Sequence, residues 1–180
     1  MNIGFDLDKV FINYPPLISA NIIDSLYRKK SSQDLTYRIP GKMEQSIRVL
    51  SHHPIFRPPI KENMFLLRRI TQDKKNNYYL ISSRFSFLKK RTDSLVKNFK
   101  LNNYFSSLHF NYKDQQPHIF KDKKIKELKI NIYIDDDLNL LKYLSSKNKN
   151  VKFYWLNPKK AEKISSNLYA ITSIDKILPK

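Results

Sequence analysis

The sequence contains no cysteine and only two glycines among its 180 residues. The absence of cysteine excludes disulfide bonds and thiolate metal ligands, and it leaves the redox compartment undetermined. No apolar run approaches the length of a membrane span, and the amino terminus lacks a basic region followed by an apolar core. We therefore expect no membrane partner, no signal peptide and, by default, a cytoplasmic location.

Acidic residues are also scarce, since 16 Asp and Glu stand against 34 Lys and Arg, which gives a formal net charge of +18. Such a surplus attracts phosphates, whether on a metabolite, a nucleic acid or a membrane surface. The basic residues are nevertheless scattered through predicted loops and exposed helix faces, and a biased coding repertoire produces the same composition. The charge leaves a nucleic-acid partner as an open alternative, and it does not indicate an oligomeric state.

A chain of this length with 41% hydrophobic residues is long enough for one compact domain with a buried core. Strand-like and helical segments alternate along it, which predicts an α/β fold: a Rossmann-like parallel sheet with right-handed crossovers, sandwiched by helices. The predicted strands are 3–6, 78–82, 108–111, 130–134, 151–156 and a last edge strand at 168–172. The predicted helices are 61–73, 85–99, 119–128 and 138–145.

Two carboxylates, Asp6 and Asp8, follow the first apolar run, Ile3-Gly4-Phe5. Open α/β sheets place their chemistry in the loops at the carboxyl ends of parallel strands. Residues i and i+2 of a strand project to the same side, so these two carboxylates are placed to hold a hard cation or to attack a phosphorus centre. Asp-x-Asp is also common in ordinary turns, and the pair alone does not decide between these interpretations.

Two later apolar stretches end in the same manner. Residues 78–81 lead into Ser82-Ser83-Arg84, and residues 130–134 lead into Asp135-Asp136-Asp137. Between them, Lys121 precedes an amphipathic stretch that is typical of a helix. A parallel sheet would bring the polar ends of these strands together along one edge.

The ordered set Asp-x-Asp, Ser, Lys, Asp-Asp resembles the haloacid dehalogenase (HAD) superfamily of phosphohydrolases, from Ile3 to about Leu156. The resemblance implies that Asp6 is the nucleophile and that Asp8 is the general acid and base. It further implies that the Ser82 hydroxyl hydrogen-bonds the transferring phosphoryl group and that Lys121 supplies a positive charge beside it.

The same resemblance implies a magnesium ion. Phosphoryl transfer spreads negative charge over the equatorial oxygens, so an anionic nucleophile such as Asp6 needs a cation that screens it from the phosphate. The expected protein ligands are Asp6, Asp136 and the backbone carbonyl of Asp8, with Asp135 adjusting the site or reaching the ion through water. An aspartyl-phosphate intermediate would then split one displacement into two easier steps.

The sequence departs from the family pattern at two places. Lys9 stands where the family usually has glycine, so its side chain would crowd the turn or place an extra charge beside the metal. The final motif is a run of three aspartates, which leaves open which of them binds the metal directly. We favour Asp136 by its position after the apolar run, and we interpret Asp137 as the N-cap of the following helix.

The segment 13–59 is predicted to be a small cap inserted after the first strand, and residues 1–12 and 60–180 form the predicted catalytic core. The insertion contains a predicted helix at 17–29. It also holds His52 and His53, which we interpret as a surface pair rather than as metal ligands. The candidate substrate-binding residues, from the insertion and the core, are Lys9, Arg38, Arg57, Ser83 and Arg84.

The resemblance thus implies a Mg²⁺-dependent phosphatase that acts on a nucleotide or another small phosphorylated metabolite, loosely similar to 5'-nucleotidase-like members. A first alternative is the removal of a phosphate from a nucleic-acid end, which the net charge would suit. A second is a HAD-like module that binds metal or nucleic acid without catalysis, and Lys9 keeps this alternative open.

Overall fold

In the computed structural model, the described part of the chain comprises residues 1–14, 35, 37–72, 75–156 and 159–177. The predicted cap helix at 17–29 lies outside these residues, as does the rest of 15–34. Within the described part, one sheet of seven strands has the order β3-β2-β1-β4-β5-β7-β6. Its strands are β1 (Asn2–Phe5), β2 (Asn77–Ser82), β3 (Ser107–Phe110), β4 (Ile132–Asp135), β5 (Lys152–Leu156), β6 (Glu162–Lys163) and β7 (Leu168–Ile171).

Neighbouring strands of the sheet pair in parallel from β3 to β7, and only β6, within the ranges given above, pairs antiparallel. The prediction of an α/β fold with a parallel sheet is confirmed. The segment predicted as the edge strand forms β7, but the edge itself is the two-residue β6. The chain reverses tightly between these two strands, where Ile164 N and Ser165 N both donate to Leu168 O.

Among the residues that the structure describes, five α-helices connect or flank the strands: α1 (Lys42–Ser51), α2 (Lys61–Thr71), α3 (Lys89–Asn98), α4 (Pro117–Glu127) and α5 (Leu138–Lys147). Local sequence sets the starts of two of them. Helix α4 begins with a proline at its first turn, where no backbone donor is needed. Helix α5 is capped by Asp137, whose side chain accepts from Asn139 N and Leu140 N. The predicted N-cap role of Asp137 is therefore confirmed.

The predicted helix 85–99 is divided in two. A short 3₁₀ helix, Ser86–Leu88, precedes α3. Asp114 holds the start of the 3₁₀ turn, because its carboxylate accepts from the backbone N and the hydroxyl of Ser86. This contact spans 28 residues along the chain, so local periodicity does not reveal it.

The central strand β1 is buried on both faces. Ile3 and Phe5 are fully buried on one face, in a cluster that includes Leu67 of α2 and Leu95 of α3. A second cluster joins Ile81 of β2 and Tyr133 of β4 to buried residues of α4 and α5. Full burial of each large apolar side chain contributes about 1.5–3 kcal/mol, so this packing fixes the end of β1 within the domain.

Gly4 allows this central strand to approach its neighbour. A Cβ atom at this position would lie 2.8 Å from Cδ2 of Tyr133, closer than real contacts allow. The Tyr133 ring is itself held in place, because its hydroxyl donates to Ile81 O on β2. The one glycine of the first motif therefore has a packing role.

The two ends of the insertion lie side by side at its root. Asn13 N donates to Pro58 O, and Ile60 N donates to Phe11 O. Such a root is what an insertion after β1 requires, while the assignment of 13–59 as a cap stays a prediction. None of the helices in the described ranges has the length and apolar character to cross a lipid bilayer.

Candidate active site

The polar residues predicted from three separate motifs meet at one edge of the sheet. Asp6 follows β1, Ser82 ends β2 and Asp135 ends β4, and these three strands are adjacent in the order β2-β1-β4. All three side chains are at least nine-tenths buried. They line a cavity of about 150 Å³ together with Asp8, Lys121 and Asp136. Parallel pairing of the strands explains the convergence, because it aligns their carboxyl ends.

Lys121 connects two of the carboxylates. Its Nζ donates to Asp6 Oδ1 at 2.7 Å and to Asp135 Oδ2 at 2.6 Å. The residue lies on α4 and is 3% exposed, so its charge is held in the pocket wall. Burial opposes the charged form of the ammonium, but the Asp135 and Asp6 carboxylates raise the pKa of Lys121 well above its ordinary value. Lys121 is therefore a positive charge fixed beside Asp6.

One oxygen from each of Asp6, Asp135 and Asp136 lies within 4.8 Å of the others. Carboxylate oxygens are the ligands that Mg²⁺ prefers, so this donor set fits such an ion. Burial, followed by the Asp135 and Asp8 charges, raises the pKa of Asp6 to about 7 against the lowering effect of Lys121. Burial and the carboxylates of Asp135 and Asp6 likewise raise the pKa of Asp136 well above its ordinary value. A divalent cation would relieve this mutual repulsion.

Asp8 is held by two arginines. Arg84 Nε and Nη2 donate to its two carboxylate oxygens at 2.9 and 2.7 Å, and Arg57 Nη1 donates to Oδ1 at 3.3 Å. Burial would raise the pKa of Asp8, but the charge and hydrogen bonds of Arg84, with the charge of Arg57, hold that pKa below its ordinary value. Both arginines were predicted to bind substrate, and in the structure both contact Asp8.

His52 is buried beside Arg57, so its interpretation as one of a surface pair was wrong. Its Nε2 lies 2.9 Å from Arg57 Nη2, and its Nδ1 lies 2.8 Å from Arg48 O. Burial, followed by the charges of Arg57 and Arg84, lowers the pKa of His52 well below its ordinary value. The neutral ring, with its proton assigned to Nδ1 from these contacts, accepts from Arg57 and orients it toward Asp8. His53 is half-buried and caps the 3₁₀ turn Pro54–Phe56.

Three further predicted residues lie in different surroundings. Ser83 lines the cavity, and its buried hydroxyl has no hydrogen-bond partner among the described residues. Lys9 lies beside the acidic cluster, with Nζ 3.3 Å from Asp136 Oδ2. Arg38 is exposed and pairs with Glu44, and within the described part of the chain it does not line the cavity.

Tyr37 is a site residue that the sequence analysis did not single out. Its hydroxyl donates to Asp137 Oδ2 at 2.8 Å, and its backbone N donates to Gln116 Oε1. The insertion is thereby joined to the core across the rim of the cavity. A lone tyrosine next to an arginine carries no distinguishing sequence signal, and the contact spans 100 residues.

Solved structures of three HAD-family proteins have a similar fold. One is a HAD-family enzyme of Bacteroides thetaiotaomicron, an aspartate-to-alanine mutant in complex with magnesium and inorganic phosphate: TM-score 0.54, 19% identity, covering 91% of this chain and 96% of that one. The second is a haloacid dehalogenase-like hydrolase of Streptococcus pneumoniae: TM-score 0.55, 10% identity, covering 87% and 84%. The third is a HAD-superfamily hydrolase of Ehrlichia chaffeensis: TM-score 0.54, 13% identity, covering 98% and 93%. No protein-family model and no curated protein matches the sequence.

Proposed function

The chain has the fold of the HAD-family hydrolases, and on that premise we propose that it is a Mg²⁺-dependent phosphatase that hydrolyses phosphomonoesters through an aspartyl-phosphate on Asp6. The observation that carries the proposal is the convergence of Asp6, Asp135 and Lys121 within hydrogen-bond distance at the carboxyl end of the sheet. Fold alone does not establish an activity, and these side chains give the fold a specific chemistry.

The residues take the following roles. A carboxylate oxygen of Asp6 forms a bond to phosphorus as the bond to the leaving oxygen breaks, and Asp8 in its protonated form gives a proton to that oxygen. Water then attacks the phosphorus, Asp8 takes a proton from the water, and the bond between phosphorus and Asp6 breaks. Lys121 stabilises the charge that develops on the phosphoryl oxygens, and the Ser82 hydroxyl donates to one of them.

A magnesium ion bound by Asp6, Asp135 and Asp136 would supply the charge that lets an anionic nucleophile meet an anionic phosphate. The contacts of Asp8 set a condition on its role as an acid. Arg84 and Arg57 favour its ionised form, so substrate binding has to weaken at least one of these contacts before Asp8 carries a proton. The base role in the second step needs no such change.

We propose that the substrate is a nucleotide or another small phosphorylated metabolite. A cavity of about 150 Å³ accommodates a phosphoryl group and part of a small leaving group. The second candidate is a nucleic-acid end, which the net charge of +18 favours. Phosphate release from oligonucleotides that falls steeply with salt, with none from mononucleotides, would select that candidate.

The test compares the intact protein with Asp6→Asn on a panel of phosphomonoesters, with and without Mg²⁺. We expect phosphate release that requires Mg²⁺ and that Asp6→Asn abolishes, together with an acyl phosphate that hydroxylamine traps only on the intact protein. Asp93→Asn is the matched control, because Asp93 is an exposed aspartate paired with Lys89. Turnover that Asp6→Asn leaves unchanged would refute the assigned nucleophile, and no turnover on any compound would favour a binding module.

A further inference from the structure

Lys9 adopts a backbone conformation that lysine rarely takes. Its φ is 57°, in the left-handed region where glycine has no penalty and other residues do. The tight turn around it is fixed by backbone hydrogen bonds from Lys9 N to Ile12 O and from Phe11 N to Leu7 O. A strained residue next to a functional site calls for an explanation in terms of what its side chain contributes.

The side chain contributes a positive charge to the acidic cluster. Lys9 Nζ lies 3.3 Å from Asp136 Oδ2, and it also lies 4.4 Å from the centroid of the Tyr14 ring. The ring face provides a second favourable position for the ammonium, since aromatic rings attract cations. The side chains of Lys9 and Asp136 are 31% and 20% exposed, so this pair is partly open to solvent, and Asp136 is the partner that lines the cavity.

The ammonium groups of Lys9 and Lys121 form ion pairs with different carboxylates of the acidic cluster. Lys121 pairs with Asp6 and Asp135, and Lys9 pairs with Asp136. Lys121 is buried and contacts two carboxylates at once, so it keeps its position when the surroundings change. Lys9 reaches its single carboxylate from the rim, on a flexible stem of four carbons.

We infer that the Lys9 ammonium occupies the Asp136 side of the cation site in the metal-free protein, and that a divalent cation must displace it to bind. The inference rests on the proposed function, because it takes Asp136 as a ligand of Mg²⁺. The physical reason is that an ammonium and a dication that share one carboxylate lie within a few ångströms and repel each other. Lys9 thereby stabilises the metal-free cluster and weakens the affinity for Mg²⁺.

Removal of this charge is the test, and calorimetric titration of Mg²⁺ into the substrate-free protein is the measurement. We expect Lys9→Met to bind Mg²⁺ about 3- to 10-fold more tightly than the unmodified protein, as the loss of one half-buried ion pair implies. Lys9→Gly is expected to tighten binding to a similar extent, and it also relieves the left-handed strain. A gain in Lys9→Gly that is absent in Lys9→Met would indicate a backbone effect and would overturn the inference.

Lys100 provides matched controls. It has a φ of 52°, is exposed, and precedes the 3₁₀ turn Leu101–Asn103, which comes before the amino end of β3. Lys100→Met and Lys100→Gly repeat the same chemical changes away from the acidic cluster. Neither is expected to change the dissociation constant for Mg²⁺.

A second readout is the midpoint of thermal unfolding with and without Mg²⁺. The increase caused by Mg²⁺ is expected to be larger in Lys9→Met, since tighter binding to the native state gives more stabilisation at the same concentration. In an Asp136→Asn background, Lys9→Met is expected to have no effect on Mg²⁺ binding, because the shared carboxylate is absent.

The outcomes separate this inference from the proposed function. Equal or weaker Mg²⁺ binding by Lys9→Met, with Mg²⁺ binding by the unmodified protein intact, would overturn the role of Lys9 and leave the phosphatase proposal in place. No binding of Mg²⁺ at millimolar concentration by the unmodified protein and both Lys9 variants would overturn both proposals.

Discussion

Arg84 binds both carboxylate oxygens of Asp8, with Nε 2.9 Å from Oδ2 and Nη2 2.7 Å from Oδ1. This two-point contact uses the planar fork of the guanidinium, which a lysine ammonium does not reproduce. Arg84 follows β2 and Arg57 belongs to the insertion, so Asp8 is held by residues from two separate parts of the chain.

We expect Arg84→Lys to impair the positioning of Asp8. The change keeps the charge and removes one of two charge-assisted hydrogen bonds, which contribute about 1.5–3 kcal/mol each. An equal loss of transition-state stabilisation would lower kcat by about 10- to 100-fold, because 1.4 kcal/mol corresponds to a factor of ten. Steady-state kinetics measure the loss of kcat, and urea unfolding measures the loss of stability. Arg38→Lys is the control, because Arg38 is exposed and pairs with Glu44. Full activity in Arg84→Lys would exclude the positioning role.

The lowered pKa of Asp8 predicts a pH dependence of stability. The arginine contacts place its pKa in the folded protein below the value in the unfolded chain. The resulting stabilisation is therefore present above the unfolded value of about 3.9 and is lost as the pH falls toward the folded value.

The free energy of unfolding, measured by urea denaturation between pH 7 and pH 2, tests this. Asp8→Asn should unfold at lower urea concentration at pH 7 and should depend less on pH below about 4 than the unmodified protein does. Asp93→Asn serves as the control, since its exposed pair with Lys89 contributes little. Parallel stability curves for Asp8→Asn and the unmodified protein would contradict the prediction.

The raised pKa of Asp6 predicts that the affinity for Mg²⁺ depends on pH near neutrality. Its carboxyl titrates near 7 in the metal-free protein, and a metal ligand has to be deprotonated. Mg²⁺ binding should therefore weaken as the pH falls below about 7, and protons should be released when the ion binds near this pH. Calorimetry in buffers of different ionisation enthalpy measures the released protons. An affinity that is constant from pH 8 to pH 5.5 would contradict the raised pKa of Asp6.

Gly4→Ala should destabilise the domain without any change in charge. The added methyl group would lie 2.8 Å from the Tyr133 ring between β1 and β4, and overpacking of this kind costs about 1–3 kcal/mol. Gly41→Ala is the matched control, because a Cβ at Gly41 meets no atom closer than the Glu44 carboxylate at 4.0 Å. Urea denaturation compares the two variants. Equal unfolding midpoints would contradict the prediction and would show that β1 and β4 move apart at low cost to admit the methyl group.

Three of the motifs were predictable because their polar residues follow apolar runs. Asp6, Ser82 and Asp135 come at the ends of segments whose hydrophobicity marks them as buried strands, and parallel pairing aligns these ends. The capping role of Asp137 followed in the same way, because an aspartate before a helical pattern accepts from the first free backbone donors. Both arguments use only local sequence and one rule of sheet geometry.

His52 shows where such local reasoning fails. A histidine pair beside proline turns is typical of a surface, yet His52 is 3% exposed and orients Arg57. His52 and Arg57 are buried together, and Arg57 contacts the carboxylate of Asp8, 49 residues away along the chain. Hydrophobic periodicity contains no information about that contact.

The sequence by itself determined the α/β architecture and the positions of the acidic and hydroxyl groups at the ends of the strands, because burial of apolar runs sets which residues become strands. The tertiary structure decided how the charges are paired: Asp8 with Arg84 and Arg57, Lys121 with Asp6 and Asp135, and Lys9 with Asp136. The physical reason is that ion pairs act over a few ångströms, and only the folded chain brings residues that are distant in sequence within that range.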